Sequence, residues 1–100
     1  MFDRFFLTQV DGTIKDHNLT LLALSTCGFC KSAMRFLNEK GIAYSYTFVD
    51  KMEPKLKEEL KEEFRNKFNE RLLYPILIKD DKEVLTGFIE VDWKLTLGLT

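Results

Sequence analysis

The chain has 100 residues, 45% of them apolar and 31% charged, with 5 Gly and 2 Pro, a mixture that excludes disordered and collagen-like classes. One domain's worth of such chain buries roughly two thirds of its unfolded surface, enough for a core without staples. Lys plus Arg number 15 and Asp plus Glu 16, and the net charge of −1 gives nucleic acid and anionic lipid no bulk attraction.

At the start of the chain, Phe5 to Thr8 and Gln9 to Ile14 read as a small hairpin turned at Asp11-Gly12. Leu19 to Leu24 is a short apolar run between polar segments and suits a buried strand. Cys30, Ala33, Met34 and Leu37 recur at helical spacing, which predicts a helix capped by Thr26 and stopped at Gly41. Ile42 to Val49 alternates around Tyr44, Tyr46 and Phe48 as the next strand.

Pro54 suits the first turn of a second helix reaching about Leu72. Its apolar positions, Met52, Leu56, Leu60, Phe64, Phe68 and Leu72, recur every fourth residue. Each step overshoots a full turn by about 40°, so this stripe wanders round the cylinder and argues against one straight helix. The Lys-Glu run between them reads as a solvated face. Pro75 opens the strand Ile76 to Lys79, Asp80 to Lys82 turns it, and Glu83 to Thr86 returns as a hairpin partner. Gly87 precedes a closing segment, Phe88 to Leu99, with Trp93 as a candidate core anchor. The order β-α-β-α-β-β-α makes at least one strand pair parallel, because a helix-length crossover joins them.

No apolar run approaches the about 20 residues of a membrane span. The segment Met1 to Phe6 carries an acid and lacks both the basic and the long apolar region of a signal peptide. A cytoplasmic protein without membrane or nucleic-acid partners is therefore expected, and in a reducing compartment two cysteines make a poor structural staple.

Those cysteines, in Cys27-Gly28-Phe29-Cys30, stand where a predicted strand meets a predicted helix. About one random arrangement of two cysteines in fifty shows this spacing. A thiolate, not a thiol, attacks a disulfide. At a helix N-terminus the unpaired N–H groups and the macrodipole favour negative charge on Cys27. Cys30 lies on the apolar face with Ala33, Met34 and Leu37, where burial keeps it protonated. The two sulfurs thus take different parts: Cys27 attacks and is held in a mixed disulfide, and Cys30 displaces the product. Gly28 keeps the turn open and Phe29 offers an apolar surface beside the sulfur. A structural zinc site would need two more ligands, and only His17 remains among the strong ones, so no metal is expected. Two inert core cysteines are the plain alternative.

With Thr26-Cys27-Gly28-Phe29-Cys30, Tyr74-Pro75-Ile76 and Thr86-Gly87-Phe88 in this order, the chain resembles a glutaredoxin over about Leu19 to Leu99. The resemblance implies an α/β, thioredoxin-like fold, a mixed four-stranded sheet flanked by helices. It divides the chain into an N-terminal extension, 1–18, with the hairpin, and a glutaredoxin-like domain, 19–100. It makes Cys27 the nucleophile, Cys30 the resolving thiol and Pro75 the cis-proline beside them, leaving the backbone of Tyr74 to pair with a bound peptide. Phe29, with Gly87, Phe88, Ile89 and Glu90, falls in the region that binds substrate or glutathione; the Gly87 loop would hold the γ-glutamyl end through backbone N–H groups.

Several family contacts with glutathione are replaced. Leu24-Ser25 stands where a Lys is usual, Leu73-Tyr74-Pro75 stands for Thr-Val-Pro, Thr86-Gly87 for Gly-Gly and Ile89-Glu90 for an acidic pair. The implied activity is dithiol-disulfide exchange on protein or glutathione mixed disulfides, in electron transport and cell redox homeostasis. The implied protein is a monomer without a tightly bound cofactor, with glutathione as a co-substrate, and glutathione or thioredoxin reductase as the reductant. The motif also resembles the Cys-Gly-Phe-Ser of iron–sulfur carriers, with Cys30 in place of the serine, which leaves a cluster carrier as the alternative.

Overall fold

The computed structural model describes Phe5 and residues 7–99. Among these, the strands are β1 (Thr8–Val10), β2 (Leu19–Ala23), β3 (Tyr44–Phe48), β4 (Ile76–Lys79) and β5 (Glu83–Thr86). The helices are α1 (Gly28–Glu39), α2 (Pro54–Phe68) and α3 (Glu90–Thr96), and a short 3-10 turn, Val49–Lys51, follows β3. The strands form one mixed sheet in the order β1-β3-β2-β4-β5. β2 and β3 are parallel, joined through α1, and the other neighbouring pairs are antiparallel. The α/β class and the implied four strands are present, with β1 added as a fifth.

β2 is central, and all five of its residues are buried. Its alternation sorts the core onto two faces, as the twofold period of a strand requires. Leu19 and Leu21 meet Ala33, Phe36 and Leu37 of α1 and Trp93 of α3 on one face. Leu22, with Ile76 and Ile78 of β4, meets Leu60 and Phe64 of α2 on the other. The register Leu21↔Leu77 and Leu22↔Ile76 keeps both strands in step.

The end of the second helix differs from the sequence reading. α2 ends at Phe68, not Leu72, because Asn69 takes a left-handed conformation (φ 52°) and its N–H closes on the Arg65 carbonyl at 2.9 Å. Asn tolerates that conformation well, and the drifting stripe gives the helix no reason to continue past Phe68. Leu72 still packs against the α2 face of the core, from the loop. At the other end of α1, Gly41 is left-handed (φ 68°) and stops the helix as expected.

The N-terminal hairpin is also corrected. Phe6 lies outside the described residues, but Thr8 to Val10 pairs antiparallel with Tyr46 to Tyr44 of β3 instead of with its own continuation. An isolated two-stranded ribbon is marginal in water, whereas joining β3 extends an existing sheet. Ile14 then bridges Ile42 in parallel, its N–H on the Gly41 carbonyl and its carbonyl taking the Ala43 N–H, each at 2.9 Å. Gly12 passes so close to this segment that an added Cβ would lie 2.5 Å from the Gly41 oxygen and 2.6 Å from the Ala43 nitrogen. Its need is close approach, not a turn. Because both obstacles are backbone, Gly12→Ala is expected to cost about 1–3 kcal/mol, read as a lower urea midpoint with unchanged slope. A midpoint equal to wild type would show that this contact yields freely.

Residues 17 and 18 are tied to the β4–β5 turn. Asp80 accepts the Asn18 N–H at 2.8 Å, and its other oxygen lies 3.0 Å from His17 Nδ1. Asp80 and Asp81 are both left-handed (φ 53° and 56°), which closes the hairpin predicted there.

Candidate active site

Three strand ends meet at one end of the sheet. Leu22 faces Ile76 and Ile76 faces Thr86, so the exit of β2, the entry of β4 and the exit of β5 lie side by side. The exit of β2 leads through Leu24-Ser25-Thr26 into α1; the entry of β4 is Tyr74-Pro75; the exit of β5 is Gly87. The topology therefore gathers predicted residues that are up to 60 positions apart in sequence, from Cys27 to Gly87.

Cys27 itself, not Thr26, is the N-cap of α1. Its backbone is extended (φ −89°, ψ 118°) and its sulfur accepts the Cys30 N–H at 3.2 Å. Sulfur thus takes the place an oxygen usually fills at a helix start, satisfying one of the otherwise orphaned donors. Cys27 is half-buried and reaches solvent, while Cys30 is 1% exposed and both thiols are free.

Burial pushes the Cys30 thiol up to about 12. The hydrogen bond with Cys27 and the charges of Cys27 and Asp50 act in the same direction, and the Leu24 N–H, 3.5 Å from the sulfur, opposes them. Because this value lies above the ordinary 9.0, the native state holds its proton after the unfolded chain has lost it. Reduced protein is therefore expected to keep the full contribution of Cys30 below pH 9 and to lose it as pH rises towards 12, by at most about 4 kcal/mol. Burial also raises the Tyr44 and Tyr74 phenols, which adds to the loss at alkaline pH. Urea unfolding at pH 8 and pH 11, compared with Cys30→Ala, measures the cysteine share: an equal fall in both proteins would assign it elsewhere.

The remaining predicted residues divide. Phe29, two residues after the nucleophile, is 69% exposed, and Leu73, two residues before Pro75, is 54% exposed. The Tyr74-Pro75 bond is cis, and Pro75 is fully buried. The Tyr74 hydroxyl is buried without a hydrogen-bond partner, and its phenol, raised chiefly by burial, is also acted on by Arg65, Cys30 and Asp50. Gly87 is left-handed (φ 74°). Its N–H already donates to the carbonyls of Leu73 at 3.0 Å and Pro75 at 2.8 Å, and its carbonyl accepts Trp93 Nε1–H at 3.0 Å. These bonds tie the start of the loop to β4. Phe88 is likewise drawn inward, its ring T-shaped on Trp93 at 5.0 Å and tilted on Phe36 at 5.6 Å. Ile89 and Glu90 stay exposed, with Glu90 paired to Lys94 at 3.2 Å.

Sequence reasoning missed Ser25 and Asp50. Ser25 donates its N–H to Asp50 Oδ1 at 2.9 Å and its hydroxyl to Oδ2. The Ser25 hydroxyl, then its N–H, holds the Asp50 carboxyl below the usual carboxylate range. The parallel register could have found them: Ala23↔Phe48, carried two residues on, sets Ser25 opposite Asp50.

Among the described residues no group of three or more His, Cys, Asp and Glu is placed to hold a metal ion, and no helix is long and apolar enough to cross a membrane. A shallow cavity of about 260 Å³, lined by Lys15, His17 and Tyr44 among others, lies at the opposite end of the sheet and includes neither cysteine.

No curated protein matches the chain. Among solved structures, the glutaredoxin from Methanosarcina mazei Go1 is similar at TM-score 0.80 and 33% identity, over 92% of this chain and 87% of that one. Methanoredoxin from Methanosarcina acetivorans is similar at 0.78 and 30%, over 87% of this chain and 90% of that one. The glutaredoxin from Archaeoglobus fulgidus, at 24% identity and TM-score 0.70 over 80% and 85%, shares the fold. The glutaredoxin family model matches residues 19–84, which include both cysteines and Pro75. The chain belongs to the glutaredoxin family.

Proposed function

We propose that this chain reduces protein disulfides, or mixed disulfides with glutathione, through the Cys27/Cys30 pair. The observation that carries the reading is the contrast between the two sulfurs: one solvent-reachable at a helix N-cap, the other buried one turn along.

The Cys27 thiolate attacks one sulfur of the target, the target S–S bond breaks, and one substrate thiolate leaves. Cys27 now carries no charge and its sulfur is covalently engaged. Two influences that kept Cys30 protonated, the hydrogen bond and the charge of Cys27, are thereby removed. Cys30 then gives up its proton and attacks the Cys27 sulfur. The second substrate thiolate departs, and a Cys27–Cys30 disulfide holds the two electrons' worth of oxidation. The exposed apolar side chains of Phe29 and Leu73 suit a polypeptide substrate beside the nucleophile.

The test is insulin-disulfide reduction, and reduction of a cysteine–glutathione mixed disulfide, with two donors in turn: glutathione with its reductase, and thioredoxin reductase. Activity with either supports the reading and names the donor. Inactivity with both, together with a brown dimer after anaerobic reconstitution with iron, sulfide and glutathione, would replace it with the cluster-carrier alternative. The same preparation is expected to be a monomer without a bound cofactor.

A further inference from the structure

Asp50 stands in the exposed turn after β3, outside the cysteine motif, yet it connects to both sulfurs. Its two carboxylate oxygens are taken by one residue, Ser25, through the N–H and the hydroxyl. That N–H shares a peptide plane with the Leu24 carbonyl, which accepts the Cys27 N–H at 3.2 Å. The Leu24 N–H, in the preceding peptide plane on the other side of the Leu24 Cα, donates to Cys30 Sγ at 3.5 Å. Cys30 N–H closes the circuit on Cys27 Sγ at 3.2 Å.

We infer that Asp50 is a positioning residue for the resolving step: its two-point grip on Ser25 holds the Leu24–Ser25 peptide, and through it the Leu24 residue, so that the N–H on the other side of the Leu24 Cα meets the Cys30 sulfur as it becomes an anion. This rests on the dithiol reading above. A donor aimed at developing negative charge is most useful when it is already in place. The groups that act electrostatically on Cys30 are Cys27 from the start of α1 and Asp50 from the turn after β3, with the Tyr74 phenol facing it from the entry of β4. The carboxylate's own charge opposes the Cys30 anion, so its grip and its charge act in opposite directions. Two substitutions separate them. Asp50→Asn keeps an acceptor for the Ser25 N–H and removes the charge; Asp50→Ala removes both.

The experiment mixes the reduced protein with the aromatic disulfide dithiobis-nitrobenzoate in a stopped-flow cell and follows two releases of coloured thiolate. In the first, the Cys27 thiolate attacks a reagent sulfur and expels one nitrothiobenzoate. In the second, Cys30, its proton passing to water, attacks the Cys27 sulfur and expels the other, so two electrons move from dithiol to reagent.

Asp50→Ala is expected to slow the second release about tenfold at pH 7, to move its pH midpoint upward, and to leave the first within about twofold. Asp50→Asn is expected to keep the second release at or above the wild-type rate. Ser25→Ala, which loses the hydroxyl and keeps the N–H, is expected to slow it about threefold, and stands in if Asp50→Ala does not fold. A second release unchanged in Asp50→Ala, equal slowing of both releases, or an Asn variant as slow as Ala overturns the inference. If Asp50→Ala does not fold, an unslowed second release in Ser25→Ala overturns it. A wild-type chain that releases one thiolate only defeats the dithiol reading, and the inference with it, before any variant is made.

Discussion

Cys27→Ser is expected to lower disulfide reduction by at least about a thousandfold, and Cys30→Ser to stop it one step later. The first substitution removes the attacking sulfur, and a serine hydroxyl does not ionise usefully at neutral pH. The second leaves attack intact and removes the thiol that expels the product. Cys30→Ser should therefore accumulate a stable adduct between Cys27 and a protein substrate, seen as a band that dithiothreitol dissolves. With the Cys30 thiol near 12, only about one molecule in 100,000 carries its thiolate at pH 7. Iodoacetamide at that pH should then label Cys27 and spare Cys30, as peptide mapping would show. Comparable labelling of both, or full turnover of protein disulfides by Cys30→Ser, would contradict the division of roles.

Trp93→Ala is expected to cost about 3–5 kcal/mol, enough to lower the melting temperature by at least ~12 °C in a chain of this size. The indole is 1% exposed and stands T-shaped to Phe36 and Phe88, with centroids 6.5 and 5.0 Å away. Its loss leaves a cavity and also strands the Gly87 carbonyl that Nε1–H satisfies. Trp93→Phe separates the two effects, since it fills much of the space and lacks the donor. It is expected to cost about 1–3 kcal/mol. If both variants melt with the wild type, the indole is not the anchor of α3.

The fold was legible where one physical demand dominated. The short, mostly apolar run at Leu19 to Ala23, bounded by polar segments, suited a buried strand, and the three-residue step from Cys27 to Cys30 placed both sulfurs on one helical turn. Demands that compete were harder to read. Thr26 is the better capper by residue type, but the chain's path gives the N-cap position to Cys27. Asp11-Gly12 has the composition of a turn, yet Gly12 is there because residues 41–43 pass against it, a long-range contact that local pattern does not encode. Gly87 sits in the stretch that resembles the family's binding loop, and the bonds of its N–H to Leu73 and Pro75 are long-range contacts that the motif does not encode. Ser25 and Asp50 are ordinary surface types. Only the parallel register makes them neighbours.

β1 has a consequence for how the molecule behaves among its own copies. Without Thr8 to Val10, the Tyr44–Phe48 strand would be an open edge, five residues long and carrying two tyrosines and a phenylalanine. Such a row of unpaired backbone groups is a template for strand addition and aggregation. With β1 in place, that long aromatic border is exchanged for one of three residues, two of which, Thr8 and Gln9, are polar.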